Sequence, residues 1–427
     1  MSFNIGNKLL EIKFVTYLIG KGANGLIYFF SIPLFIKFCG LELYGKYVFI
    51  YTAFLMSNSI GTGWISQSVL KFSSKFENTR YFFKYSNSVN RIAIINSSII
   101  SLLFILVLVI LNNGFIVSIL LGICCFFSII YGVKLVFNQS LLNSRTYVIS
   151  ELIRMLIYVF IPFIFLYQGY EKHQLEIIVS ALLISYLIGN LFLNSKNLKT
   201  FNNKSYLSLR KTKIIAFSFF KYGFPLSIWM FLSPSANGVD RFLIKYFVGF
   251  AALAEYSALY DIISKVFLQF AQPLGNSAQP ILMNAFNKND DRLFDKTLRK
   301  TIFFLTIIFL ILAVFFGVSK RFIIVDYLGF TSEDVIVKLS DLFLPLLIST
   351  FVWQLAIILQ KIIEAKKLTI VLTYYMLITV FSSIILSILF LPKYGYVASA
   401  FIMLFSSLFY LGLIIYKLIL LKHNESK

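Results

Sequence analysis

Histidine and cysteine are nearly absent from this chain of 427 residues, which holds 2 of one and 3 of the other. His173 and His423 stand alone, and no His/Cys/Asp group has metal-ligand spacing, so no metal site is expected. Cys39, Cys124 and Cys125 make no disulfide framework, since adjacent cysteines rarely bridge each other. A glycine-rich phosphate loop is also missing: Gly20-Lys21-Gly22 lies inside an apolar run and is not a P-loop. These absences point away from an enzyme and from any cofactor. With no ATP-hydrolysing domain, transport would be driven by a gradient, by downstream consumption, or run downhill. Charged residues make up only 13% of the chain and hydrophobic ones 59%. No soluble domain hides that much apolar surface, so the solvent is expected to be largely lipid.

Acids are the scarcer charge, with 18 Asp and Glu against 39 Lys and Arg. In a soluble protein the net charge of +21 would suggest nucleic acid. Here the cations fall mainly between apolar runs, where they set orientation in a membrane, and no nucleic-acid partner is expected. A span needs about 20 apolar residues. That rule predicts an all-α membrane protein of about twelve helices, at 14–36, 44–68, 91–111, 115–138, 148–167, 175–195, 217–243, 251–276, 301–325, 339–361, 368–391 and 396–420. With the N-terminus inside, 25 Lys and Arg fall on the cytoplasmic side, 9 on the other and 5 within spans. The bias predicts that both termini are cytoplasmic. The basic first residues run into an apolar stretch that carries Lys21 and Asn24 and no A-x-A site, so the first span is expected to stay uncleaved.

The stretch 14–84 returns about 210 residues later. Gly40, Gly45 and Tyr47 are echoed by Gly249, Ala254 and Tyr256, and Gln67-x-x-Leu70 by Gln279-x-x-Leu282. Arg80-x-Phe-x-Lys84 is echoed by Arg292-x-Phe-x-Lys296. The echoes predict two homologous six-helix bundles, 1–195 and 214–427, joined by a basic cytoplasmic linker at 196–213. An even number of spans per half gives both halves one orientation and relates them by an axis along the membrane normal.

Spans three and nine are apolar all round and suit lipid-facing places. Spans one, two and eight are polar by comparison. They carry Asn24, Tyr28, Asn58, Gln67, Asp261 and Gln272, the candidates to line a wet cavity. Span seven holds Pro225, Pro234 and Gly238 and is expected to be broken, with Asp240 and Arg241 pairing locally after the break. Five cations lie within spans: Lys21, Lys134, Arg154, Lys221 and Lys265. Lys21 and Lys221 sit at matching places in the two halves, where they either snorkel to the interface or bind an anion. Lys265 has Asp261 one turn away, and Arg154 has Glu151 at i−3, so each is either a substrate cation or half of an ion pair. Lys134, near a span end, is expected to snorkel. Trp229 lies near the face of Lys221, where it either packs or stacks on a sugar.

The chain resembles the Wzx-type polysaccharide flippases of the multidrug/oligosaccharidyl-lipid/polysaccharide exporter superfamily. The resemblance is carried by Gly40-x4-Gly45-x-Tyr47, Pro225, Asp240-Arg241-Phe-Leu-Ile, Gly249, Tyr256 and Pro392-Lys-Tyr-Gly395. Ala254 departs from the usual Gly in the second copy. The resemblance implies a V-shaped pair of bundles that opens alternately to either side, with a cavity lined by spans one, two, seven and eight. It implies a multi-pass protein of the bacterial inner membrane that moves undecaprenyl-diphosphate-linked sugar repeat units. Beyond that lipid-linked oligosaccharide and the membrane lipid, a polysaccharide polymerase and a chain-length regulator are candidate partners. Basic cavity residues would hold the diphosphate, and Lys21, Lys221, Lys265 and Arg154 are the candidates by spacing. A cation or multidrug antiporter of the same superfamily is the first alternative, and a membrane-embedded glycan polymerase or ligase the second.

The topology has a direct check. Cysteines placed at 204 and 288 should resist a membrane-impermeant thiol reagent in sealed cells, and one at 172 should react; labelling at 204 would overturn the orientation.

Overall fold

A computed structural model describes residues 2–76, 81–111, 114–141, 143–169, 173–196, 209–236, 238–287, 290–366 and 368–425. Within these ranges the side chains of 2–24, 26, 74–75, 144, 166, 195–196, 209–211, 225–226, 234–236, 276–277, 279–280, 283–284, 287, 369 and 422–425 lie outside the described residues. Among the described residues there is no strand. The helices are α1 (Ser2–Phe76), α2 (Phe82–Ile110), α3 (Phe115–Ser140), α4 (Ser144–Tyr167), α5 (Gln174–Lys196), α6 (Leu209–Ala236), α7 (Val239–Phe247), α8 (Phe250–Asn287), α9 (Asp291–Phe322), α10 (Glu333–Ala365), α11 (Thr369–Tyr394) and α12 (Val397–Glu425). A short π-helical turn, Ile323–Tyr327, extends α9.

The predicted spans fall on helices, but not one to each. Spans one and two run together as α1, whose apolar portion Ile27–Ser73 is 47 residues long. Straight, that would reach about 70 Å, more than twice the hydrocarbon thickness. It is not straight, because Gly40 sits at φ 75°, ψ 167°. The rings of Phe35 and Tyr47 lie 5.8 Å apart, where an unbroken helix would separate them by about 18 Å. The chain therefore folds back at this residue. Only glycine tolerates that backbone without strain. Its echo Gly249 also has positive φ, at 115°, between α7 and α8. By length and apolarity, 9 described helices can cross a membrane, or 10 if a bent pair counts as one.

That bent pair is the predicted break of span seven: α6 turns by 45° between Thr212–Phe224 and Ser227–Ser233. A proline such as Pro225 has no N–H to give the carbonyl four residues earlier, so a regular helix is disfavoured here. A second interruption at Gly238 starts the short α7.

The apolar helices show one buried and one open face. On α2, Tyr85, Val89, Ile92 and Leu108 are buried, while Leu102, Leu106 and Ile110 are 63%, 59% and 79% exposed. On α9, Val314 and Val318 stand out at 69% and 84%. Apolar surface of this extent belongs against lipid.

The chain forms two compact units: Met1–Ser31 with Ile50–Phe231, and Ile32–Phe49 with Leu232–Lys427. Each unit takes in a segment that adjoins the other's sequence. In the first unit, Ile65 and Val69 of α1, Tyr85 and Val89 of α2, Val133 and Phe137 of α3, and Phe219 of α6 share one core. In the second, Gly45 lies so close to the backbone of Phe250 that a Cβ would stand 2.0 Å from its carbonyl oxygen. The two copies of the repeated motif thus meet here, with Tyr47 and Tyr256 both buried.

Substitution of Gly45 by Val should cost about 1–3 kcal/mol or more and remove most of the folded protein. Gly317→Ala and Gly412→Ala, whose new Cβ would meet nothing within 4 Å, serve as controls. Size-exclusion profiles of tagged protein read the difference; equal profiles for Gly45→Val and the controls would refute the close approach.

Candidate functional site

In the first unit, α6 lies directly on the second half of α1. Ser68 Oγ donates to the Phe219 carbonyl at 2.9 Å. Gly223 permits the approach, since a Cβ there would stand 2.1 Å from the carbonyl oxygen of Trp64. This packing carries the candidate cavity residues. Gln67 Nε2 reaches Met230 Sδ of α6 at 3.2 Å, a weak acceptor. Asn58 Oδ1 and Trp229 Nε1 are buried and find no hydrogen-bond partner among the described residues. Unpaired buried polar atoms are rare enough that each needs a reason. Some of the polarity of α1 is spent locally: Ser59 Oγ donates to Leu55 O at 2.9 Å and Thr62 Oγ1 to Asn58 O at 2.7 Å. Those hydroxyls need no cavity. Tyr28 is half-buried, and its carbonyl accepts from Ser31 Oγ at 2.7 Å.

Lys221 is exposed on α6, and none of the ion pairs among the described residues includes it. Its neighbour Tyr222 receives the ammonium of Lys71, 3.6 Å from the ring centroid. The side chains of Lys21, Asn24, Pro225 and Pro234 lie outside the described residues.

Two further cations of this unit are enclosed. Arg154 Nε donates to Glu151 at 3.2 Å, and its guanidinium carbon lies 4.9 Å from the Tyr186 ring and 5.7 Å from that of Tyr131. Tyr131 Oη donates to the same carboxylate at 2.7 Å. Lys134 does not snorkel. It is buried, and its Nζ donates to Asn194 Oδ1 at 2.8 Å and Asn190 Oδ1 at 3.4 Å, both on α5. Two amide oxygens replace the water that an interfacial ammonium would keep. These asparagines are 56 and 60 residues away in sequence, so no local pattern announced them.

The second unit holds a buried network of α7 and α8. Arg241 Nη2 donates to Asp261 Oδ1 at 2.6 Å, with side-chain exposures of 9% and 5%. Asp240 is bonded to Arg241 through the backbone. Its Oδ1 accepts from the Arg241 backbone N–H at 2.8 Å, and its Oδ2 from Tyr256 Oη at 2.5 Å. The Tyr260 ring lies 5.4 Å from the guanidinium carbon of Arg241. Asp261 thus bonds to a cation on another helix, while Lys265, half-buried one turn on, lies within its electrostatic reach. Gln272, further along α8, is exposed. Tyr256 was visible in the sequence as a repeat position, but its role as a carboxylate donor was not.

Among the described residues no group of three or more His, Cys, Asp or Glu could hold a metal ion. Chemically the units offer buried, mutually neutralised charges and, in the first unit, the unpaired Asn58 Oδ1 and Trp229 Nε1 with Lys221 exposed on a bent helix.

A family model described as MatE matches residues 225–389. Comparison with curated protein sequences finds no match. Among solved structures, the lipid II flippase MurJ in an inward closed conformation is similar at 16% identity and a TM-score of 0.73, over 95% of this chain and 87% of that one. An inward-facing multidrug resistance transporter of the MATE family matches at 14% identity and a TM-score of 0.69, over 98% and 95%. A MOP superfamily transporter from Pyrococcus furiosus, described as having a binding pocket of reverse polarity, matches at 12% and 0.66, over 97% and 95%. The chain has the fold of the MOP superfamily transporters.

The Arg241–Asp261 pair has a testable energetic sign. Removing one partner leaves a buried charge unpaired, at a cost of about 3–5 kcal/mol. Arg241→Met/Asp261→Leu should therefore melt at a higher temperature than either single change. A double variant no more stable than the worse single would show that the two charges do not neutralise each other.

Proposed function

We propose that this protein is a flippase that moves undecaprenyl-diphosphate-linked oligosaccharide repeat units across the bacterial inner membrane by alternating access. The observation that carries the reading is where the charges are committed. Glu151 is bonded by Arg154 and Tyr131, Asp261 by Arg241, and Asp240 by Tyr256 and a backbone N–H. The carboxylates an exporter of cations would use are held internally, while Lys221 remains exposed. A cationic group in a polar, partly desolvated site selects phosphate oxygens. The fold shared with a lipid II flippase agrees with a lipid-linked substrate. Of the four candidate cations, Arg154 is enclosed by its partners and Lys265 lies beside Asp261, so the diphosphate falls to Lys21 and Lys221. Asn58 Oδ1 and Trp229 Nε1, the unpaired polar atoms, suit the hydroxyls of a sugar. The likeness to MATE transporters favours a second reading, a multidrug or cation antiporter, against which the engaged acids argue.

Complementation of a flippase-deficient strain tests the reading. A charge-assisted contact to a diphosphate is worth about 1.5–3 kcal/mol, roughly ten- to a hundredfold in affinity. Lys21→Ala and Lys221→Ala should each lower surface polysaccharide at unchanged protein level, the double change most, and Lys→Arg should retain most activity. Full-length polysaccharide from Lys21→Ala/Lys221→Ala at normal protein level would remove both lysines from the substrate site. Failure of the unaltered protein to restore any polysaccharide, with export of cationic dyes instead, would favour the antiporter.

A further inference from the structure

The repeated motif Arg292-x-Phe-x-Lys296 plays no part in the proposed substrate site, yet it leads into a built cavity. Where the end of α8 meets the start of α9 there is a groove of about 370 Å³. Its α9 wall presents Lys296 and Lys300, one turn apart, with Thr297 and Thr301 between them; its floor is apolar, with Ile281 of α8 and Phe304 of α9. Among the described residues no carboxylate lines it. Both lysines are exposed and join none of the ion pairs among the described residues. Thr301 Oγ1 is turned back to the Thr297 carbonyl at 2.8 Å, and Lys300 Nζ lies 5.8 Å from the centroid of the Phe304 ring.

The groove opens at the end of α9 that the charge bias assigns to the cytoplasm, where the charged first turns of the candidate span Asp291–Tyr327 give way to the apolar stretch from Thr301 on. That is the depth at which lipid phosphates meet acyl chains. Two cations about 5–6 Å apart on one helix face suit the oxygens of a single phosphate. The apolar floor just beyond suits the first carbons of the acyl chains. A free phosphate would leave that floor wet, and a zwitterionic headgroup would bring its own ammonium towards two lysines.

We infer that this groove binds the headgroup of an anionic phospholipid of the cytoplasmic leaflet, with Lys296 and Lys300 on the phosphate, and Ile281 and Phe304 against the chains. Basic pockets between transmembrane helices on the cytoplasmic side recognise such headgroups in this way. The inference does not depend on the flippase reading, because it uses only α8 and α9.

Native mass spectrometry of the detergent-purified full chain, titrated with phosphatidylglycerol or phosphatidylethanolamine, tests it. Each lysine near a membrane surface contributes about 1 kcal/mol, or about fivefold. Lys296→Ala/Lys300→Ala should therefore bind phosphatidylglycerol about 25-fold more weakly, with phosphatidylethanolamine binding unchanged. Ile281→Trp, which fills the groove and keeps both lysines, should also lose phosphatidylglycerol. Equal binding of the two lipids by the unaltered protein, or undiminished phosphatidylglycerol binding by either variant, would overturn the site. Displacement of phosphatidylglycerol by a polyprenyl diphosphate at equal concentration would also overturn it, by giving the groove to the transported lipid.

Discussion

A charge inside a bilayer finds no water to pair with, and that constraint orders most of what is seen in this molecule. Every described carboxylate in the polar helices of the two networks is met by a donor from another position: Asp261 by Arg241, Asp240 by Tyr256, Glu151 by Tyr131 as well as Arg154. Lys134 obeys the same rule with neutral partners, two asparagine oxygens. Hydroxyls that could have demanded a wet surface bend back to their own helix instead. In these networks pairing takes up the acids, and Lys221 joins none of the ion pairs among the described residues, an imbalance that suits the proposed anionic substrate.

The elements with a local signature were legible from the residues alone. Apolar runs located the helices, because a span must satisfy its backbone internally and so must be long and helical. Gly40 and Gly249, singled out as repeat positions, both hold a positive φ, a left-handed backbone that leaves little choice of residue. Pro225 marked the bend, because a missing N–H has one structural consequence wherever it falls in a helix. Partnerships between helices were not legible. Asp261 has Lys265 one turn away, and helical spacing singles out that pair; the carboxylate also receives Arg241 from twenty residues earlier, on the helix that starts after the break at Gly238. Lys134 resembles an interfacial lysine until α5 brings two amides to it. The same limit applies to the seam between halves. Sequence symmetry divides the chain between its two repeats, whereas packing assigns Ile32–Phe49 and the first part of span seven across that seam.

A fold that hosts both lipid flippases and drug transporters does not choose between them, so the substrate has to be argued from the site. Here the argument rests on charge: Glu151, Asp240 and Asp261 are bonded within their units, while Lys221 is exposed on the bent helix that also carries the unpaired indole N–H of Trp229. An anionic headgroup with sugar hydroxyls attached answers both features at once. A cationic drug answers neither, and would have to break an ion pair such as Arg241–Asp261 before it found a counter-charge.

The central claim is that a diphosphate-linked saccharide lipid crosses the membrane through this protein. The most direct measurement uses proteoliposomes holding the purified chain and a fluorescent polyprenyl diphosphate oligosaccharide, with a membrane-impermeant glycosidase added outside. Without transport only the outer-leaflet half of the lipid should be cleaved. With the protein, cleavage should run towards completion, and the corresponding polyprenyl-linked sugar without the diphosphate should stay half protected. Cleavage that stops at one half in both cases, from liposomes in which the protein is folded and correctly inserted, would contradict the account.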